Sequence, residues 1–359
     1  MEVPISEDKT VSLKSFLRTL FPAYRARDAI LADMKKYNER VERKLAMLDN
    51  KMEYCFFCLQ HLDQETDLET KKRVFLSLPK ASGRVADYQY AANYILSRVK
   101  SICDANGIVF ALCGGTALGA VRHHGFIPWD DDVDIDIMRE DFYRLEKLLQ
   151  DDEELVLRRY YKFRGGFEAG YLYRVKMKQS DQFFIDVFPL DYMTIAPEQE
   201  ESAWTEKEAL CTEYSRKVAA IFEKHHFCYQ ENELAVACPE MDEEIDALEQ
   251  DYLSIYNTRF LDEHNITHFT RGIGNGRWLR SIYRVQSSDE YLPFQTDNLE
   301  FEGRRYGSFK NCEKLLQYQY GNIWSLPPVI YQGHENEFVN YSEEDERFLN
   351  KLKNRNDHE

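Results

Sequence analysis

An α+β fold, built on a mixed-sheet core with added helices and an N-terminal helical extension, is what this sequence predicts, and three stretches predict it. Residues 108–113 form a strand-like run that passes at once into Gly114-Gly115-Thr116 and a short helix reaching Arg122. Residues 129–137 alternate carboxylates with Val133, Ile135 and Ile137, which is the two-residue period of a half-buried strand. Residues 182–191 are largely apolar, and Asp186 interrupts the run.

Length and composition set the frame for these elements. A chain of 359 residues accommodates a catalytic domain with helical attachments, and 43% hydrophobic with 14% aromatic residues suits a folded globule. The formal net charge of −17 repels nucleic-acid phosphates, so no nucleic acid is expected as a partner. The eight cysteines lie scattered from Cys55 to Cys312 instead of framing a small disulfide scaffold, which reads as reduced thiols in the cytoplasm. No apolar run approaches the roughly 20 residues that span a bilayer.

Organisation follows from periodicity. In 1–27, Leu13, Phe16, Leu17, Leu20 and Phe21 form one helical stripe with Lys14, Arg18, Arg25 and Arg27 around it. That pattern fits either peripheral contact with an anionic membrane at its inner face or ordinary packing on the domain. Residues 28–85 read as a helical extension and linker. Within 30–62, apolar residues recur at three- and four-residue steps, as in a helical hairpin or a self-associating coiled coil that would make a homo-oligomer. Cys55 and Cys58, with Tyr54, Phe56 and Phe57 around them, read as buried helix cysteines because no second pair completes a zinc set. Residues 63–72 resemble a linker, and 86–104 a helix leading into a catalytic core at 86–195. A helical and turn-rich part at 196–342 is expected to complete the substrate site, with helices at 198–224 and 241–256 and turns over 270–307. Residues 343–359 read as a frayed polar tail.

Chemistry concentrates in the three stretches of the first paragraph. Gly114 and Gly115 permit close backbone approach, and the start of a helix offers N–H groups to an anion; a plain tight turn is the other reading. If 129–137 is a strand throughout, Asp130, Asp132, Asp134 and Asp136 share one face with neighbours roughly 7 Å apart, a density of charge that calls for a divalent cation. An all-oxygen donor set selects Mg²⁺ or Mn²⁺ over zinc. Asp186, costly if buried alone, belongs beside that cluster. Strand, Gly-Gly, helix, an Asp-x-Asp strand and a lone Asp on a neighbouring strand together resemble the layout of nucleotidyltransferases of the DNA polymerase β type.

The run Gly114-Gly-Thr-Ala-Leu-Gly-Ala-Val-Arg122, continued by Gly125-Phe-Ile-Pro-Trp129-Asp-Asp-Asp132-Val-Asp134, closely resembles the signature of the LicD family. Phe184-Ile-Asp186-Val-Phe-Pro resembles its second block. Phe301-Glu-Gly303 with Tyr320-Gly-Asn322-Ile-Trp324 resembles a third, with Asn322 where the family carries an aspartate. The resemblance implies a metal-dependent transfer of phosphocholine, or a phospho-alcohol such as ribitol phosphate, from a CDP-linked donor to a glycan or lipid-linked sugar acceptor. By matching positions it implies that Asp132 and Asp134 are catalytic metal ligands and Asp186 a third carboxylate, either ligand or general base. Gly114, Gly115 and Thr116 would meet phosphate, while Arg122 and Arg174 either clamp phosphates or form surface salt bridges. His123 and His124 shape the turn before Gly125. A quaternary ammonium needs aromatic faces, and Trp129, Tyr171, Tyr173 and Trp278 are the candidates. The competing functions are a nucleotidyltransferase that releases pyrophosphate and a non-catalytic membrane-associated scaffold.

Overall fold

A computed structural model of the chain describes residues 55–164, 168–180, 182–227, 235–274, 286–326 and 342–356, with shorter pieces between 34 and 53. The stripe from Leu13 to Phe21, and Trp278, lie outside the described residues. Contacts divide the chain into two compact units, Met1–Lys71 with Ser325–Val329, and Lys72–Trp324 with Ile330–Glu359.

In the first unit the described positions of 34–60 are helical, and Met34, Leu45, Leu48, Met52 and Leu59 are exposed. Cys55 and Cys58 are exposed too, correcting the buried placement read from their aromatic flanks; Phe57 is the buried residue of that turn, with the Lys71 ammonium 4.9 Å from its ring centre. The supposed linker starts helix α1 (Asp67–Ser77). Thr66 N–H donates to Glu69 Oε2 at 2.7 Å and Glu69 N–H returns to Thr66 Oγ1 at 3.3 Å, so Thr-x-x-Glu works as a capping box.

The second unit begins its core with α2 (Gly83–Asn106), ended by Gly107 at φ +63, where a β-carbon would be strained. It continues through β1 (Phe110–Leu112), α3 (Gly114–His123), β2 (Asp134–Met138), α4 (Arg139–Gln150), β3 (Leu155–Arg164), β4 (Glu168–Met177) and β5 (Phe184–Met193). Helices α5 (Glu200–Lys224) and α6 (Asp242–Phe260), strands β6 (His268–Arg271) and β7 (Gln286–Ser287), hairpin β8 (Gln295–Phe301) and β9 (Arg304–Ser308), and helices α7 (Cys312–Tyr320) and α8 (Glu343–Asn356) complete it. The main sheet has the order β1-β2-β5-β4-β3, with β6 pairing β5 and β7 pairing β6. Among the described strands only β2 and β5 pair in parallel, so the sheet is mixed and the fold is α+β, as predicted.

Register decides what each face carries. Asp134, Asp186, Arg174 and Arg158 stand opposite one another on four adjacent strands, and Ile135, Val187, Tyr173 and Arg159 form the next row, pointing the other way. The second face packs on helices: Phe142 of α4 lies 4.6 Å from Tyr173 between ring centres, Tyr171 shares a hydrogen bond with Tyr214 of α5, and Tyr173 donates to Glu249 of α6.

Two parts of the chain are more ordered than their composition predicts. Within the turn-rich region, Glu302 and Gly303 both have positive φ and close the β8–β9 hairpin. The polar end forms α8 because Ser342 Oγ accepts the Asp345 N–H, and because Leu349 and Leu352, one turn apart, are buried while Phe348 stacks on Phe183. Among the described residues no helix is long and apolar enough to cross a membrane.

Leu349→Ala should therefore destabilise the protein by about 2–4 kcal/mol in urea unfolding. Tyr318→Ala, at an exposed position on α7, should change stability by less than about 0.5 kcal/mol. Equal effects would show that α8 does not belong to the folded core.

Candidate active site

Strand β1 ends at Leu112, Cys113 is the N-cap of α3, and Gly114 opens the helix at φ +55. A β-carbon on Gly114 would lie 2.8 Å from Asp134 Oδ2, and one on Gly115 would lie 2.7 Å from Asp130 Oδ2. The two glycines therefore let carboxylates press against the start of a helix, whose unpaired N–H groups and dipole favour negative charge. Thr116 is buried, and its Oγ1 accepts the Asp134 N–H at 2.8 Å, while Cys113 N–H donates to the Asp134 carbonyl at 3.1 Å. Thr116 thus helps hold the first strand carboxylate in place.

The four-carboxylate strand is also corrected. Asp130 N–H closes a turn on Ile127 O at 2.9 Å, and Gln89 Nε2 donates to Asp130 O at 2.7 Å, so pairing begins only at Asp134. Asp136 shares a face with Asp134 but is 2% exposed and accepts Arg271 Nε at 3.0 Å. The Arg271 guanidinium lies 3.5 Å from the Phe188 ring centre. Asp136 is thereby spent on a buried ion pair.

What converges is Asp132, Asp134 and Asp186, each offering an oxygen within 4.8 Å of the others; Asp130, Asp131 and Asp132 form a second such group. Burial, and then the charges of Asp132 and Asp186, hold the Asp134 carboxyl well above the ordinary carboxylate range. Asp186 is buried and accepts Arg174 Nε at 2.9 Å, and that guanidinium lies 3.6 Å from the Phe184 ring centre. Arg174 is the counter-ion of Asp186, neither an exposed clamp nor a surface salt bridge.

Arg122 is 4% exposed, packs 4.3 Å from the Phe75 ring centre, and donates from Nη1 to Ile323 O at 3.2 Å, while its buried Nε has no hydrogen-bond partner among the described residues. Burial lowers its ionisation to about 10, opposed by the Asp130 charge, so it remains a cation at neutral pH. Burial and Arg122 push His123 down to about 4, so the neutral ring donates Nδ1–H to Phe75 O at 2.8 Å. His124 takes φ +54 as the C-cap of α3, the turn-shaping role expected of it.

Of the proposed aromatic faces, half-buried Trp129 adjoins Asp130. Tyr171 and Tyr173 point to the opposite side of the sheet, buried under α4, α5 and α6, because they are odd-numbered where Arg174 and Asp186 are even. That corrects both as choline contacts. Two residues at the site were not singled out by the sequence. Glu302 Oε1 accepts the Phe126 N–H at 3.3 Å and sits where a β-carbon on Gly125 would be. The hydroxyl of Tyr320, at the end of α7, is held above its usual range by burial and by the Asp134, Asp130 and Asp132 carboxylates. Both fall in the third resembling block, which was the only signal for them.

Fold and site together define a mixed-sheet domain centred on a cluster of carboxylates. Residues 107–228 match the family described as "LicD/FKTN/FKRP, nucleotidyltransferase domain". It is 46% identical over 50 residues to the lipopolysaccharide cholinephosphotransferase LicD of Haemophilus influenzae, covering 14% of this chain and 19% of that protein. It is 35% identical over 92 residues to the human ribitol 5-phosphate transferase FKRP, covering 25% of this chain and 18% of that one. The chain thus spans about a fifth of the length of these curated relatives.

A raised Asp134 value means that the folded, metal-free protein holds this proton more tightly than the unfolded chain, whose value is about 3.9. Its contribution to stability is full below that value and is lost as pH rises through the folded one. In EDTA at pH 7, Asp134→Asn should therefore have a higher Tm than wild type, with the difference shrinking as pH falls towards 4. An unchanged or lower Tm at pH 7 would contradict the crowding of charge at this position.

Proposed function

We propose that this chain transfers phosphocholine, or a related phospho-alcohol, from a CDP-linked donor to a hydroxyl of a cell-surface glycan or teichoic-acid-type precursor, with release of CMP. The observation that carries the reading is the meeting of Asp132, Asp134 and Asp186 oxygens within 4.8 Å against the Gly114-Gly115 helix start. The names of the two relatives support the group transferred.

The donor set fits Mg²⁺ or Mn²⁺: every ligand atom is a carboxylate oxygen, and among the described residues no hydrogen bond or ion pair reaches the Asp134 side chain. Bound there, the cation would neutralise charge on the donor diphosphate. The rest falls to the chain itself. The acceptor oxygen forms its bond to the phosphorus bearing the alcohol as the bond to CMP breaks. Asp186, opposite Asp134 on the neighbouring strand and bonded by Arg174, would hold the ion and take the hydroxyl proton. Trp129 is the aromatic face available to a quaternary ammonium.

Incubation with CDP-choline, CDP-ethanolamine and CDP-ribitol plus Mg²⁺ should yield CMP from one of them, and Asp132→Asn and Asp134→Asn should each lose transfer while remaining folded. Pyrophosphate release from CTP, without turnover of these donors, would instead establish the nucleotidyltransferase reading. Asp186→Ala should weaken Mg²⁺ binding and lower turnover by roughly 10²–10⁴-fold, with partial recovery at high Mg²⁺. Wild-type activity and metal dependence in that variant would reduce Asp186 to a structural residue.

A further inference from the structure

Helix α7 packs along α3, and its last residue is Tyr320. The helix stops there because Gly321 takes φ +72, and the Gly321 N–H bonds Gln317 O at 2.8 Å. The chain then turns so that the Ile323 carbonyl receives Arg122 Nη1. This clasp holds the end of α7 against α3, with Tyr320 near enough to Arg122 and to Asp134, Asp130 and Asp132 to interact with them electrostatically.

Tyr320 is 45% exposed, so its ring borders open space beside the cluster, and its hydroxyl makes no hydrogen bond among the described residues. Arg122 Nε is likewise a donor without a partner, and Arg122 is more than nine-tenths buried. A buried donor left unsatisfied costs about 1–3 kcal/mol, so such a group marks a place where a ligand supplies the acceptor. A tyrosine hydroxyl is protonated at neutral pH, so Tyr320 too offers a donor. Two unused donors beside a cation-fitting carboxylate cluster match the oxygens of a nucleoside diphosphate, which are rich in acceptors and held near metal.

We propose that Tyr320 is a donor-binding residue, its hydroxyl donating to a phosphate oxygen of the CDP-linked substrate, with Arg122 behind it completing the anion contact. The proposal rests on the transferase reading. The phosphate is thus gripped between the carboxylate-held cation on one side and the α7–α3 clasp on the other. Tyr320→Phe keeps the ring and removes only the hydroxyl, at a position exposed enough for the fold to be unaffected.

Calorimetric titration of CDP with Mg²⁺ into wild type, Tyr320→Phe and Tyr320→Ala tests it, with Tm as the check on folding. CDP should bind Tyr320→Phe roughly tenfold to a hundredfold more weakly than wild type, and KM for the CDP-linked donor should rise more than kcat falls. Equal CDP affinity in wild type and Tyr320→Phe would overturn the hydroxyl contact. A loss confined to Tyr320→Ala would do the same and leave the ring as the contact. Failure of wild type to bind CDP at all would overturn the transferase reading, and the phosphate assignment with it.

Discussion

The register between the parallel strands β2 and β5 sets Asp134 directly opposite Asp186, and the site is arranged around that pairing. Paired strands lie about 4.8 Å apart, and two like charges near that distance repel by roughly 3–4 kcal/mol at an effective dielectric of about 20. Against a net fold stability of about 5–15 kcal/mol, that is a substantial local cost. Several features offset it. Arg174 neutralises one carboxylate, the start of α3 faces the other, and Thr116 and Cys113 hold the strand entry in place. The apolar row of Ile135 and Val187 behind the acids forbids a slip of one residue, because a slip would bury the carboxylates and expose the core. A cation held by Asp132, Asp134 and Asp186, as proposed, would supply the remaining compensation.

The opposite face explains why the register does not relax. Arg139 clamps Asp191 with two bonds of 2.9 and 2.8 Å and reaches Glu249 at 3.0 Å, while Arg159 meets Glu249 and the Tyr173 hydroxyl. Gly272 packs where a β-carbon would meet Arg139 Nη2, so β6 closes directly over this network. Breaking one partner of such a buried set leaves an uncompensated charge, which makes the far side of the sheet stiff. The carboxylates on the near side inherit that stiffness through β2, β4 and β5.

Much of this was legible in the sequence, and the failures have physical causes. Strand, Gly-Gly and helix followed from local patterning, and Asp186 stood out because an isolated charge in an apolar strand needs a partner. Period-two alternation also held the information that Tyr171 and Tyr173 cannot face the site if Arg174 does, since adjacent strand residues point opposite ways. Asp136 was not legible, because its partner Arg271 is 135 residues away and nothing local announces the pair. The end of the chain misled by composition: four acids in its first turn hid a Ser-x-x-Asp cap and two apolar positions one turn apart.

The third block shows how a site can extend past the segment that names it. The family match ends at residue 228, yet the wall opposite the carboxylates comes from Glu302, Tyr320 and Ile323. Glu302 reaches back to the loop that leads from α3 to Trp129, and Ile323 reaches back to Arg122, so both clasps grip the same short segment from outside. Residues 107–228 supply the charge and the register, but a carboxylate cluster alone would discriminate poorly among phosphate compounds. Shape and donor groups around it must come from elements that close over α3, and those are the hairpin and α7. On the proposed reading, selectivity for the transferred group would be set by this later part of the chain, where Asn322 departs from the aspartate the resembling block carries.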